Sequence, residues 1–341
     1  MLDLRRGYGS VTAVIAVFLL LAAAVHLSGC RNRTDKKGPT QTEKVNICIG
    51  GAPGLAVKLA KELDVFSGEG LDVVLKEYSA GTVAFENMLA GECELTTPAE
   101  TPIVLKSFER QDFRVLATVT SSDNVTYIVA DSSRGITKPK DLKGKRIFVR
   151  KGSSNQFWLE LFLLKNGVSP KDVKIVFDDI KDVPGAFASG TIDAFCGSDL
   201  LVTGVSKKIG KNAVIFNSPG LALSTFNLVA WSSFVSERPE TAKKVLSALL
   251  KNAETIRKSP QSVVKAASAA LKVDEQDMLN ILKNYDWGIT LSQALLLSFE
   301  QEAQWAVRNG LTKKPVIPNY LDLIQPDILK SLKPEAVSVI R

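Results

Sequence analysis

Two short segments of the chain combine the residue types of an anion-binding loop. Gly81-Thr82 and Gly152-Ser153-Ser154 each come directly before a stretch that we predict to be helical. The first N–H groups of a helix have no partner within the helix and carry a partial positive charge, so they attract anions. Glycine lets the backbone approach a ligand closely, and Lys151 adds a full charge. These segments predict a site for a small anion, with the alternative that Thr82, Ser153 and Ser154 only cap their helices.

Acidic residues follow other predicted strands and could bind a positively charged or N–H group of a ligand, whereas the loops above would bind its anionic group. The residues concerned are Glu100, Asp123, Asp178 and Asp199. A carboxylate can accept a hydrogen bond from an ammonium group or a ring N–H of a ligand. If both kinds of loop contact the ligand, it is a small zwitterion or a polar heterocycle. Each acid also stands where a helix cap is expected, which is the role we favour for Asp199.

Aromatic side chains that could stack on a ring of the ligand are few. Trp158 lies at helical spacing from Phe162, which is more typical of a core helix than of a ligand platform. The full set of candidates is Phe85, Phe157, Trp158, Phe226 and Trp231.

Composition excludes several classes of protein. His26 is the only histidine, and it lies in an apolar N-terminal segment. Ser-His-Asp triads, Cys-His dyads and histidine metal sites are therefore excluded from the rest of the chain, and we predict no enzyme, no metal and no cofactor. The 43 basic and 36 acidic residues give a formal charge of +7, but the basic residues are scattered, so no nucleic-acid partner is predicted.

The N-terminus has the parts of a secretory signal. Arg5 and Arg6 precede an apolar run from Val11 to Leu27, and small residues follow. The run Leu27-Ser28-Gly29-Cys30 resembles the lipobox of bacterial lipoproteins, which implies a signal peptide over 1–29 and a lipid on Cys30. The mature protein would then be extracytoplasmic and tied to a membrane through residues 30–44, a polar tether. The alternative is an uncleaved signal anchor, although the run is at the short limit for a spanning helix.

Three cysteines follow Cys30, namely Cys48, Cys93 and Cys196. They show no CxxC spacing, and each lies in an apolar, strand-like segment. We predict buried free thiols, and a bridge between Cys48 and Cys93 stays open because an extracytoplasmic compartment allows it.

Strand and helix patterns alternate from Val45 onward, which predicts an α/β protein with mostly parallel, doubly wound sheets. The chain is longer than one core usually organises, so we expect two lobes. The pattern of the first unit repeats after Asp131, returns at about residue 225, and becomes helical after Pro239. The predicted division is 45–131 plus 225–341 for lobe 1 with a helical tail, and 132–224 for lobe 2. Chain crossings are expected near 130–133 and 223–227.

Five local sequences, in the same order, resemble type II periplasmic substrate-binding proteins. They are LAKELDVFSGEGLDVVLKEYSAG, MLAGECELTTP, KPKDLKGKRIFVRKGSS, AFASGTIDAF and SERPETAKKVLSALLKNAETIRKSP. The nearest branch is the nitrate, sulfonate and taurine group, which also includes thiamine-precursor binders. One departure is Cys93-Glu94-Leu95, where the family usually has an aspartate.

The resemblance implies a monomer that captures a small polar or anionic molecule between two lobes and delivers it to an ABC permease with its ATPase. The alternatives are a binding protein that feeds a sensor or receptor, and an enzyme related to thiamine-precursor synthesis. In doubly wound sheets ligands lie beyond the carboxyl ends of the strands. The loops there predict these ligand-binding residues: Gly51, Ala52, Pro53, Gly81, Thr82, Ala99, Glu100, Ser121, Ser122, Lys151, Gly152, Ser153, Ser154, Asn155, Asp178, Ser198 and Asp199.

Overall fold

The computed structural model describes residues 42–177, 180 and 182–340. The predicted signal segment 1–29 and the lipidation site Cys30 lie outside the described residues, as do residues 31–41 of the tether and the candidate Asp178. The first strand begins at Glu43, so the fold starts two residues before the predicted Val45.

The first sheet has five strands in the order β2-β1-β3-β10-β4. Its strands are β1 (Glu43–Gly50), β2 (Leu71–Tyr78), β3 (Leu95–Thr96), β4 (Phe113–Ser122) and β10 (Ser224–Trp231). β1 runs parallel to β2 and β3, whereas β10 runs antiparallel to β3 and β4. Four strands therefore share one direction, and β10 alone is reversed among them.

The second sheet has the order β7-β6-β8-β5-β9. Its strands are β5 (Thr126–Asp131), β6 (Arg146–Phe148), β7 (Lys174–Val176), β8 (Ala194–Ser198) and β9 (Ala213–Phe216). β6 is parallel to β7 and β8, and β5 is antiparallel to β8 and β9. The reversed strand of each sheet is the one that has just crossed from the other lobe, because it enters at the edge where the carboxyl ends of its neighbours lie.

The predicted boundary at 131/132 is wrong, since β5 belongs to the second sheet. The chain crosses between Ser122 and Thr126, and it returns between Phe216 and Ser224. Two strand patterns separated by three residues look like a hairpin in sequence. Here the short connection carries the chain directly from one sheet to the other, which the pattern of apolar residues cannot reveal.

Helices cover both sheets and form the C-terminal tail. The helix Pro239–Lys258 shows why the tail is helical. Ala242, Val245, Leu246 and Leu249 recur at helical spacing on its buried face, and Pro239 occupies its first turn. The α-helices of the described ranges are α1 (Leu55–Glu62), α2 (Gly81–Leu89), α3 (Glu100–Ser107), α4 (Ser154–Lys165), α5 (Val183–Ala188), α6 (Asp199–Ile209), α7 (Ser232–Glu237), α8 (Pro239–Lys258), α9 (Pro260–Leu271), α10 (Glu275–Asn284), α11 (Gln293–Arg308) and α12 (Asp327–Leu332). Within these ranges, no helix is long and apolar enough to cross a membrane.

The two lobes have different cores. Buried residues of the first sheet and of the tail helices form one continuous apolar cluster. The second lobe has two smaller clusters, because alternate residues of its strands face opposite sides of the sheet. Ile128 and Ile147 belong to one of them, and Val129 and Phe148 to the other.

The cysteines divide in the same way. Cys48 on β1 and Cys93 just before β3 form a disulfide in the first lobe, with Cα atoms 5.8 Å apart. The expectation of free thiols is therefore wrong for this pair. Cys196 on β8 is a buried free thiol, as predicted.

Candidate functional site

A cavity of about 460 Å³ lies between the loops of the two lobes. The first lobe contributes Gly51–Pro53 after β1, Ser79–Thr82 after β2, and Ala99 with Pro102 after β3. The second lobe contributes Arg150 and Ser153–Asn155 after β6, and Gly197 with Ser198 at the end of β8. All of these segments lie at the carboxyl ends of parallel strands, which is where such sheets bind ligands.

Four helices begin at this cavity, and their N-cap residues make no side-chain cap bond. The N-caps of α2 and α3 are Ala80 and Ala99, which have no hydrogen-bonding side chain. Ser153 is the N-cap of α4, but its hydroxyl donates to the Arg150 carbonyl at 2.7 Å. Ser198 at the start of α6 makes no side-chain cap bond either. The capping alternative for the serines and Thr82 is therefore not seen, and the cavity faces four helix N-termini with their partial positive charge.

Close packing of the first two loops explains why glycine occurs there. A Cβ atom at Gly81 would lie 2.8 Å from Pro53 Cγ. A Cβ atom at Gly50 would lie 2.3 Å from the Ala80 carbonyl oxygen, a distance that real structures do not show. The loops after β1 and β2 therefore form one surface in which the backbone itself faces the cavity.

Arg150 is the charged residue of the site. Among the described residues that line the cavity, no other carries a full charge. The predicted cation, Lys151, does not line it; this side chain is exposed, with its ammonium 6.0 Å from the centre of the Phe177 ring. Alternation along an extended segment explains the error: Phe148 and Arg150 face the cavity, whereas Val149 is buried in a core of the second lobe.

Two predicted acids, Glu100 and Asp199, point away from the cavity. They are the first residues of α3 and α6, directly after Ala99 and Ser198, which do line it. Glu100 Oε2 accepts from Thr225 N at 2.7 Å. Asp199 Oδ1 accepts from Leu200 N in the first turn of α6 at 2.7 Å and from the Tyr285 hydroxyl at 3.2 Å. Burial raises the pKa of each carboxyl to about 7. Both acids thus belong to the supporting interior.

Other predicted residues also fall outside the lining. Ser121 pairs through its backbone with Asp286, and the Ser122 hydroxyl donates to the Asn284 carbonyl at 2.6 Å. Gly152 shapes the turn before α4 with a φ of 67° but is not part of the wall. The predicted residues that the structure brings together are Gly51, Ala52, Pro53, Gly81, Thr82, Ala99, Ser153, Ser154, Asn155 and Ser198.

Sequence reasoning missed an apolar wall. Phe148 and Phe195 of the second sheet line the cavity, and their rings are stacked with centres 5.6 Å apart. Of the five aromatic candidates, only Phe226 faces the cavity. The signal that could have found the pair is the outward alternation of β6 and β8, since Phe148 and Phe195 lie opposite each other in register.

Similarity to known proteins agrees with this geometry. The model of the family described as NMT1/THI5 like matches residues 55–263, which is more than half of the chain. The chain belongs to the NMT1/THI5-like family. The matched range includes every described cavity residue except Gly51, Ala52 and Pro53.

Relatives of this NMT1/THI5-like protein include binding proteins. The chain is 25% identical over 285 residues to the "Putative aliphatic sulfonates-binding protein" of Bacillus subtilis. The alignment covers 79% of this chain and 82% of that relative. Its structure is similar to that of the alkanesulfonate-binding protein SsuA from Xanthomonas axonopodis pv. citri bound to MOPS, with a TM-score of 0.73 and 18% identity over 83% of this chain and 98% of that one. The predicted two-lobed type II periplasmic binding fold is thus confirmed.

The same fold also occurs in an enzyme. The desulfurization enzyme DSZB matches with a TM-score of 0.59 and 17% identity, covering 86% of this chain and 99% of that one. Fold alone does not separate binding from catalysis, so function must be argued from the residues of the cavity.

Proposed function

We propose that this protein is an extracytoplasmic solute-binding protein that captures a small organic anion of the sulfonate type between its lobes. The observation that carries the proposal is Arg150, placed in one interlobe cavity beside four helix N-termini whose N-cap residues make no side-chain bond. A sulfonate stays ionised at neutral pH and offers three acceptor oxygens. Guanidinium and backbone N–H donors match such a group, and hydrogen bonds to a charged partner are the strong ones.

Capture is proposed to involve closure of the two lobes. The first lobe presents the N-terminus of α2, and the second presents Arg150 and the N-terminus of α4. A ligand that contacts both sets favours the closed arrangement by its differential affinity for closed over open forms. Periplasmic binding proteins as a class close in this way, by rotation of their domains about a hinge.

Delivery and location complete the proposal. We infer that the closed protein hands its ligand to an ABC permease with its ATPase subunit, acts as a monomer, and is held at the membrane by a lipid on Cys30. The Cys48–Cys93 disulfide supports an extracytoplasmic location, because such bonds persist in oxidising compartments and are rare in the cytosol. The proposal contains no catalytic step, so the bound sulfonate should be recovered unchanged, which mass spectrometry can check.

Arg150 provides the decisive test, with its neighbour as a matched control. Arg150→Gln should weaken binding of hexanesulfonate about 10- to 100-fold in calorimetry, since a charged hydrogen bond contributes roughly 1.5–3 kcal/mol. Lys151→Gln removes the same charge one residue away, outside the cavity, and should change affinity less than about twofold. Equal losses in both variants would point to long-range charge alone. A wild-type protein that binds neither sulfonates nor nitrate would contradict the proposal.

A further inference from the structure

The cavity is large for the smallest anions. Its volume of about 460 Å³ equals roughly 15 water molecules at ~30 Å³ each. An anion with a few heavy atoms, such as nitrate or methanesulfonate, would leave most of that space to water. Pockets of about 300–1,000 Å³ are those that enclose ligands of drug-like size. In this arrangement of the lobes, the cavity therefore has room for a ligand with a substantial body behind its anionic head.

One wall of the cavity is a continuous apolar surface of the second lobe. Phe148, Phe195 and Val205 belong to the same buried cluster, and Ile180 and Val183 pack against it. All five also line the cavity. Burial of an apolar group against such a wall is favourable, and the binding free energy gained is proportional to the apolar area removed from water.

The aromatic part of this wall is held flat against the sheet. Phe195 and Gly197 lie two residues apart on β8 and so share one face. A Cβ atom at Gly197 would lie 2.3 Å from Phe195 Cζ, so the ring occupies the space that a side chain would take. Phe148 stacks on Phe195 with an angle of 21° between the rings. Because Gly197 has no side chain, the ring of Phe195 lies over it against the sheet, and space for a ligand remains on the cavity side of the ring.

The first lobe adds an aromatic side chain of its own. Phe226 on β10 lines the cavity and packs against Tyr285, with ring centres 5.8 Å apart. Apolar surface thus comes from both lobes, while the full positive charge of the described lining is confined to Arg150.

We propose that the ligand is an organic anion with one sulfonate-like head group and an uncharged body that contains an aromatic ring, and that Phe148 and Phe195 determine this preference. The inference rests on the proposed function and names the ligand class of the same site. The head group binds at Arg150 and the helix N-termini. The ring contacts the Phe148–Phe195 wall, where aromatic pairs gain more than their buried area alone provides.

Probes with one head group and different bodies test the inference. Calorimetry on the full-length protein compares methanesulfonate, cyclohexanesulfonate, benzenesulfonate and naphthalenesulfonate. We expect naphthalenesulfonate to bind at least about 100-fold more tightly than methanesulfonate, because each buried methylene-sized group contributes roughly fourfold. Benzenesulfonate should bind several-fold more tightly than cyclohexanesulfonate, which has the same number of carbons but no aromatic face.

Two phenylalanines of the same cluster provide a variant and its control. Phe195 lines the cavity, whereas Phe187 is equally buried in the cluster but does not. Phe195→Leu should weaken the binding of naphthalenesulfonate about tenfold and change the affinity for methanesulfonate by less than about twofold. Phe187→Leu should change neither affinity, although both variants lower thermal stability.

The outcomes separate this inference from the proposed function. If methanesulfonate and naphthalenesulfonate bind equally and both depend on Arg150, the aromatic body is refuted and the solute-binding function stands. Equal effects of Phe195→Leu and Phe187→Leu would likewise overturn the role of the aromatic wall. Absence of binding by every sulfonate would overturn both proposals.

Discussion

The two lobes share one plan but present different chemistry to the cavity. The first lobe offers mainly backbone, through Gly51–Pro53 and Ser79–Thr82, on loops packed closely against each other. The second offers side chains, namely Arg150 and the Phe148–Phe195 pair. Backbone donors are the same for any sequence, whereas side chains differ. We infer that the second lobe, which supplies both the full charge and the apolar wall, decides which anion is accepted.

The lobes also differ in how they are held together. One continuous core, a disulfide and the tail helices stabilise the first lobe, while the second lobe divides its apolar residues between two faces of a sheet. Substitution of the cysteines is expected to show the largest difference in stability between the lobes. Cys48→Ala with Cys93→Ala should lower the free energy of unfolding by about 4 kcal/mol, because the bridge closes a loop with a sequence separation of 45.

Denaturant unfolding with and without a thiol reductant measures this effect. The reductant should destabilise the wild type and leave the double variant unchanged. Cys196→Ala in the second lobe is the control and should cost about 1 kcal/mol, with or without reductant, as a small buried group is lost. A wild type that does not respond to reductant, or a double variant as stable as the wild type, would contradict a stabilising role of the disulfide.

The buried acids provide a second comparison. Glu100 and Asp199 occupy equivalent positions in the two lobes, each at the start of a helix behind a cavity residue. Because burial raises the folded pKa of Asp199 from 3.8 to about 7, the unfolded chain ionises first. The folded state therefore loses stability as pH rises from about 4 to 7, and the loss remains above pH 7.

Asp199→Asn should remove this loss while keeping an oxygen acceptor for Tyr285. Denaturant unfolding at pH 5 and pH 8 gives the free energy of unfolding of the variant relative to the wild type. We expect this difference to favour the variant by on the order of 3 kcal/mol more at pH 8 than at pH 5. Glu100→Gln should change stability in the same direction. The exposed Asp123→Asn is the control. A gain for Asp199→Asn that does not depend on pH would show that this carboxyl does not titrate as expected.

The smallest expected effect concerns a contact between the lobes. The Trp305 indole N–H on α11 donates to Glu160 Oε2 on α4 at 2.7 Å, and Phe157 packs edge-on against the same indole. Glu160→Gln converts a charged hydrogen bond to a neutral one and should lower the free energy of unfolding by about 1 kcal/mol.

The matched control is Glu300→Gln, which removes an exposed charge from α11 itself. It should leave stability unchanged within about 0.5 kcal/mol, as is usual for surface substitutions. If the two variants behave alike, the contact between α4 and α11 contributes nothing measurable to stability.

Much of the site was predictable because it depends on local order. Parallel strands bring their carboxyl ends to one edge, so the loops after β1, β2, β6 and β8 had to converge wherever their helices packed. Gly81, Ser154 and Ser198 were found by this argument. Arg150 and the aromatic wall were missed because the direction of a side chain changes with every residue of an extended segment.

The sequence by itself determined the α/β alternation, its repeat in two units, the helical tail and the loops that meet at the cavity. Periodicity, glycine and proline encode these features within a few residues. Tertiary structure alone decided that β5 crosses to the second sheet, that Cys48 and Cys93 form a bridge, and that both acids turn inward. The reason is distance along the chain: Glu100 meets Thr225, 125 residues away, and Asp199 meets Tyr285, 86 residues away. No local pattern specifies partners that only packing brings together.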